Sequence, residues 1–203
     1  MKTTLLALFV ALTIPSQIFP QWEWLNPRPH GNANNRIAFG GNANEYTIVG
    51  NAGIIMKTTN DGVDWTIQNS GTDINLKDIY ISGNEGIAVG NSGTILRTSD
   101  GGITWHLVNS GTTTHLTAVA FPTSNIGIIT GWNGLILHTT NGGTNWDSIA
   151  TPTTQRLYGV SFADADNGYA VGNAGVILKT TNGGVSWNSQ TSGTSNNLSS
   201  VSF

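Results

Sequence analysis

The stretch GIAVGNSGTILRTSDGGITW, residues 86–105, decides the fold because it occurs four times. The other copies are YTIVGNAGIIMKTTNDGVDW (46–65), GIITGWNGLILHTTNGGTNW (127–146) and GYAVGNAGVILKTTNGGVSW (168–187). Their closing tryptophans, Trp65, Trp105, Trp146 and Trp187, are spaced 40, 41 and 41 residues apart. A period of this length built from strands and turns is that of a propeller blade. In the second copy the expected strands are Leu76–Ser82, Gly86–Gly90, Thr94–Thr98 and Thr104–Asn109. Between them lie Gly83-Asn84-Glu85, Asn91-Ser92-Gly93 and Ser99-Asp100-Gly101-Gly102, each with Gly or Asn where positive φ is needed. Branched and aromatic residues fill the strands. One four-stranded sheet leaves apolar faces exposed, and stacking sheets face to face buries them, so the unit must repeat. The expected fold is therefore all-β, a β-propeller of four-stranded antiparallel blades. A β-solenoid does not need three tight hairpins per coil, and a β-sandwich does not explain the period.

Composition agrees. Gly (26), Thr (27) and Asn (23) make up 37% of the 203 residues, while charged residues make up 9%, against about 25% in ordinary domains. The chain is poor in the Ala, Leu, Glu and Lys of helical bundles. A net charge of −3 gives no electrostatic case for nucleic acid or an anionic membrane. Without cysteine there are no disulfides, thiolate metal sites or cysteine nucleophiles.

Residues 1–20 stand apart. Lys2 precedes an apolar run from Leu5 to Ile14 and then Pro15, the layout of a secretory signal peptide. The run is too short to span a bilayer. Cleavage is expected near residues 17–21, leaving residues 22–203 as an exported propeller that is secreted, periplasmic or at the cell surface. Its blades are expected at 36–69, 76–110, 115–151 and 156–191. Trp22–Asn26 reads as a stray fourth strand. Val201-Ser202-Phe203 repeats the first-strand triplets Ile79-Tyr80-Ile81, Val119-Ala120-Phe121 and Val160-Ser161-Phe162, so 198–203 reads as the first strand of a fifth blade. On this phasing the chain is expected to be a fragment of a six- to eight-bladed ring, with exposed edges that invite aggregation.

The third turn carries a signature. Thr98-Ser99-Asp100-Gly101-Gly102-Ile103-Thr104-Trp105 fits the Asp-box pattern Ser/Thr-x-Asp-x-Gly-x-Thr-Trp. The other copies keep Thr58, Gly62 and Trp65, Thr139, Gly143 and Trp146, and Thr180, Gly184 and Trp187. Asn60, Asn141 and Asn182 replace the acid there. A short carbonyl or carboxylate side chain accepts backbone N–H groups and closes the turn. With one carboxylate in four copies, the expected role is structural rather than catalytic or calcium-binding. No metal-ligand spacing, cofactor loop or catalytic set is found, and His30, His106, His115 and His138 fall at unrelated strand positions.

The pattern VGNxGxIL(K/R)T(T/S)(N/D)GGxxW over residues 36–203 resembles the repeat of the photosystem II assembly and stability factor family, within the sialidase-like, bacterial neuraminidase-repeat (BNR) superfamily. The resemblance implies a seven-bladed propeller acting as a non-enzymatic scaffold for assembling subunits. The Arg-rich surface associated with that role is reduced here to Arg28, Arg36, Arg97 and Arg156. Resemblance to sialidase-like glycosidases would require three convergent arginines, a Tyr nucleophile with a Glu partner, and an acid/base Asp. Glu45 and Glu85 lie in repeated turns, Glu23 lies in the edge segment, and Tyr46, Tyr80, Tyr158 and Tyr169 read as strand packing residues.

Two rows of equivalent positions remain. Lys57, Arg97, His138 and Lys179 precede the Asp-box Thr, and are expected to cover solvent-facing strand surface, with binding of an acidic partner or glycan as the competing reading. Asn75, His115, Arg156 and Asn197 precede each first strand and are expected to rim one mouth of the central channel. The expected function is a non-catalytic interaction or assembly scaffold whose partner is a protein or a glycan. A non-catalytic part of a carbohydrate-active protein, or a photosystem II assembly factor, are the alternatives.

Overall fold

The computed structural model describes residues 31–40 and 42–203. The expected leader and the Trp22–Asn26 strand lie outside the described residues, as do Arg28 and His30. Four antiparallel four-stranded sheets follow one another along the chain, each with its strands in sequence order. Blade 1 contains β1 (Asn34–Phe39), β2 (Tyr46–Gly50), β3 (Ile55–Thr58) and β4 (Thr66–Gln68), and blade 2 contains β5 (Leu76–Ser82), β6 (Glu85–Gly90), β7 (Ile95–Thr98) and β8 (His106–Val108). Blade 3 contains β9 (Leu116–Ala120), β10 (Gly127–Gly131), β11 (Ile136–Thr139) and β12 (Asp147–Ile149), and blade 4 contains β13 (Leu157–Phe162), β14 (Asn167–Gly172), β15 (Ile177–Thr181) and β16 (Asn188–Gln190). The fourth strands are shorter than the expected Thr104–Asn109. Trp105 turns inward to donate from Nε1 to Gly102 O at 3.1 Å, and Asn109 Oδ1 folds back onto the Gly111 N–H at 3.0 Å.

The core lies between blades, in three apolar seams. Blade 1 presents Val49 and Ile55 to Leu76, Ile79, Ala88, Leu96 and Trp105 of blade 2. Ile87, Val89 and Ile95 meet Leu116, Val119, Ile129, Leu137 and Trp146. Ala118, Ile128 and Ile136 meet Leu157, Val160, Ala170, Leu178 and Trp187. Each wholly buried Ile or Leu contributes about 1.5–3 kcal/mol, which explains why no blade stands alone. The inner strands β1, β5, β9 and β13 touch in succession and form the concave side.

The middle turns depart from the expected use of Gly and Asn alone. Ala52, Ser92 and Ala174 have φ of 53°, although a left-handed residue with a side chain costs about 1–2 kcal/mol. Each is held by a side chain from the start of the next unit. Ala52 N–H donates to Asn75 Oδ1 (2.8 Å), Ser92 N–H to His115 Nδ1 (2.9 Å) and Ala174 N–H to Asn197 Oδ1 (3.1 Å). The corresponding residue in the third unit is Arg156, which has no acceptor, and there the left-handed residue is Asn133 (φ 56°), a type that tolerates this conformation.

Residues 198–203 form no strand ladder, in contrast to the expected first strand. They still lie against blade 4: Leu198 N–H donates to Gly172 O at 2.9 Å and the Phe203 ring lies 5.6 Å from Tyr169, both residues of β14.

Candidate interaction groove

Every inner strand contains a β-bulge near its start, between Asn34 and Arg36, Leu76 and Asp78, Leu116 and Ala118, and Leu157 and Gly159. The extra residues are Asn35, Lys77, Thr117 and Tyr158. A bulge re-aims its side chain out of the ladder, and all four line one groove of about 520 Å³ on the concave side, with Trp132, Asn197 and Ser199. Two of the four brace neighbouring blades: Asn35 Nδ2 and Thr117 Oγ1 each donate at 2.6 Å, to Leu76 O and Leu157 O. Lys77 and Tyr158 make no such hydrogen bond among the described residues, so an ammonium and a phenol face the groove. Sequence reasoning missed this ring, placing Tyr158 among the packing residues. The available signal was that Asn35, Lys77, Thr117, Tyr158 and Ser199 differ from one another, beside the repeated Leu76, Leu116, Leu157 and Leu198.

At the rim, Trp132 replaces the Asn found at 51, 91 and 173. Arg156 Cζ stands 3.7 Å from its ring centroid and the His115 ring meets it edge-on at 4.4 Å. Arg156 therefore places a cation over an aromatic face beside the groove. Further along, Asp78 is buried: Oδ2 accepts the Val119 N–H of the next blade at 2.9 Å, Oδ1 accepts its neighbour Ile79 N–H at 2.9 Å, and Arg36 Nε lies 3.1 Å away. Burial pushes the carboxyl above its ordinary value, opposed by the Val119 N–H, the Arg36 charge and the Ile79 N–H.

The third turns are built alike. Thr58, Thr98, Thr139 and Thr180 each accept from the backbone N–H two and four residues on, while donating to Asn60, Asp100, Asn141 and Asn182 at 2.7–2.9 Å. The glycine two residues after that Asn or Asp is left-handed in each, with φ of 83° at Gly62, 87° at Gly102, 80° at Gly143 and 90° at Gly184. Asp100 accepts from both the hydroxyl and the N–H of Thr104, which hold its pKa down at about 2. Trp105, Trp146 and Trp187 are buried between blades, whereas Trp65, with no described blade before it, is half-buried.

The basic row is not solvent-facing; it crosses from blade to blade. Lys57 Nζ donates to Gly101 O of the next third turn at 2.8 Å, and Arg97 Nε to Gly142 O at 3.2 Å. Glu45 and Glu85 pair with them within their own blades. His138 stands beside the Gly183 backbone, its Nε2 without a hydrogen-bond partner among the described residues, and burial lowers its pKa. Lys179, last in the row, lies over Tyr169 at 5.6 Å and makes no hydrogen bond among the described residues.

Successive four-stranded blades stacked about a concave axis define a β-propeller-type repeat protein. The chain belongs to the family described as photosynthesis system II assembly factor YCF48, whose profile matches residues 64–151 and 146–203. No curated protein matches the sequence at a significant level. Among solved structures it is similar to YCF48 bound to D1 peptide, at 19% identity and a TM-score of 0.69, over 86% of this chain and 58% of that one. YCF48 from Cyanidioschyzon merolae matches at 22% identity and 0.68, over 86% and 61%. An ancestral GH74 enzyme matches at 22% and 0.68, over 80% of this chain and 24% of its own. The chain thus spans about three-fifths of the YCF48 structures' length, and at these identities the likeness establishes the fold.

Proposed function

We propose that this chain is an exported, non-catalytic scaffold whose concave groove binds an extended segment of a partner protein. The observation that carries the reading is the bulge ring: four inner strands project four different side chains into one groove, two of them without a hydrogen bond among the described residues. An ammonium, a phenol and nearby amides are suited to the polar backbone and side chains of an extended peptide. The YCF48 relative bound to D1 peptide supports a protein partner. The non-catalytic reading is supported by the arginines: Arg36 pairs with Asp78, Arg97 with Glu85, and Arg156 covers Trp132. They are committed to separate contacts rather than converging on one carboxylate. Export rests on Lys2 and the apolar run that follows.

The test is fluorescence anisotropy of labelled D1 peptide against the purified chain, alongside Lys77→Ala and Tyr158→Ala. Saturable binding, weakened roughly tenfold or more by each substitution, is expected. Failure of D1 and of a random extended-peptide library to bind would overturn the reading, as would glycoside hydrolysis by the purified chain.

A further inference from the structure

Three seams join the four described blades, and in the first two a cation crosses in the same way. Lys57 donates to Gly101 O and Arg97 to Gly142 O, and a carboxylate of the same blade backs each: Glu45 Oε2 lies 3.2 Å from Lys57 Nζ, and Glu85 pairs with Arg97. Blade 3 changes both members at once. His138 stands in the place of Lys57 and Arg97, and Ile126 in the place of Glu45 and Glu85. The third seam, with a described blade on each side, therefore replaces an ion pair with an imidazole and a branched alkyl group.

That imidazole is enclosed. His138 is 8% exposed, and its Nε2 has no hydrogen-bond partner among the described residues. The third turn of blade 4 covers it from across the seam: Ile126 lies against Gly183, and Ile128 and the His138 ring lie against Gly184. Within its own sheet His138 is opposite Ile128 on β10 and Asp147 on β12. Asp147 is exposed, as are Asp164 and Asp166 of the blade 4 turn whose Asp166 O accepts the Gly183 N–H. An imidazolium carries an N–H on both nitrogens, and a buried N–H or charge without a partner is costly. Burial accordingly lowers the His138 pKa from its ordinary 6.5, against the opposing pull of the Gly183 backbone and the Asp147 charge.

We propose that the seam between blades 3 and 4 is an acid-sensitive joint: protonation of His138 loosens blade 4 from blade 3, while the seams tied by Lys57 and Arg97 stay closed. The joint cuts through the groove. Thr117 and Trp132 stand on the blade 3 side and Arg156 and Tyr158 on the blade 4 side, and the Thr117–Leu157 hydrogen bond and the Arg156–Trp132 contact span it. Loosening the joint weakens the hold on an extended segment, a consequence that rests on the binding reading above. The folded pKa of His138 lies below the ordinary 6.5, so the unfolded chain binds the extra proton first as pH falls. The stability this site contributes is present above pH 6.5 and is lost as pH drops through the folded value.

Urea unfolding of the full chain at pH 7.5 and 5.0, alongside His138→Leu and the double variant His138→Arg/Ile126→Glu, tests the joint. An unfolded histidine with a pKa of 6.5 limits the effect at pH 5.0 to about thirtyfold in the unfolding constant. Between the two pH values that constant should rise roughly fivefold or more further in wild type than in His138→Leu, which keeps the other histidines. The double variant rebuilds the pair found in blade 2 and should lose the excess as well. Hydrogen exchange, corrected for its intrinsic pH dependence and read by mass spectrometry, should show protection falling at pH 5.0 over residues 177–187 but not over 95–105, and only where His138 is kept. The affinity for labelled D1 peptide should fall roughly fivefold further over the same change in wild type than in His138→Leu. Equal pH dependence of unfolding in wild type and His138→Leu overturns the proposal, as does equal loss of protection in the two segments. Absence of D1 binding at both pH values sinks the groove reading alone, because unfolding and exchange read the joint without a ligand.

Discussion

Replacing Trp105 with Ala and, separately, Trp65 with Ala measures what stacking one blade on another contributes. The two indoles close the same turn and make the same internal bond, Nε1 to Gly102 O and to Gly62 O, both at 3.1 Å. They differ in their cover. Trp105 is 6% exposed in the seam with Val49, Ile55 and Leu96, whereas Trp65 is half-buried. Truncating a buried Trp costs about 3–5 kcal/mol. Trp65 loses the same hydrogen bond but much less buried apolar area, so its cost should be about 1–2 kcal/mol. Urea unfolding followed by far-UV circular dichroism, on samples dilute enough to exclude association, gives both values from midpoint and slope. The Trp105 variant should be less stable than the Trp65 variant by about 2–3 kcal/mol. Equal costs, within about 0.5 kcal/mol, would refute the claim that inter-blade burial rather than turn closure makes the tryptophan matter.

Thr139→Val keeps shape but leaves the buried Gly143 N–H without its acceptor, and should cost about 1–3 kcal/mol in urea unfolding. Gly134→Ala and Gly71→Ala share a φ of 69°. Only at Gly134 does the added Cβ run into a main-chain oxygen, Thr153 O, while Gly71 has open space. Gly71→Ala should cost about 1–2 kcal/mol, and Gly134→Ala clearly more, read from the same titrations. Asp100 and Asp78 should act with opposite signs on acid stability. The folded pKa of Asp100, about 2, lies below its ordinary value of 3.8, so its stabilisation is present above pH 4 and fades as pH falls toward 2. The raised folded pKa of Asp78 favours the folded state at low pH, and that contribution is lost as pH rises through the window above 3.8. Thermal melts across pH 2–6 should show Asp100→Asn removing the acid loss and Asp78→Asn removing the opposing trend.

The repeat was legible because a period of 40–41 residues with a turn-closing Thr, Gly and Trp at fixed offsets leaves few alternatives. Strand β5 falls at Leu76–Ser82 as expected, since alternation and turn residues are local properties of the chain. Four things were not legible, because each depends on what another blade places nearby. The bulges that send Lys77 and Tyr158 into the groove arise from a mismatch between paired strands. No single strand's sequence shows such a mismatch. The tolerance of Ala52 and Ala174 for left-handed backbone depends on acceptors 23 residues away. The basic row reads as solvent-facing by strand alternation, yet both faces of a propeller blade are covered, so Lys57 and Arg97 reach the next turn instead. Trp65 and Trp105 are the same residue in the same motif, and only the presence of a neighbouring sheet makes one core and the other half-exposed. Local chemistry, then, set the blade and its turns, while burial and partnership across blades, which are properties of the stack, set which side chains are left facing the concave groove.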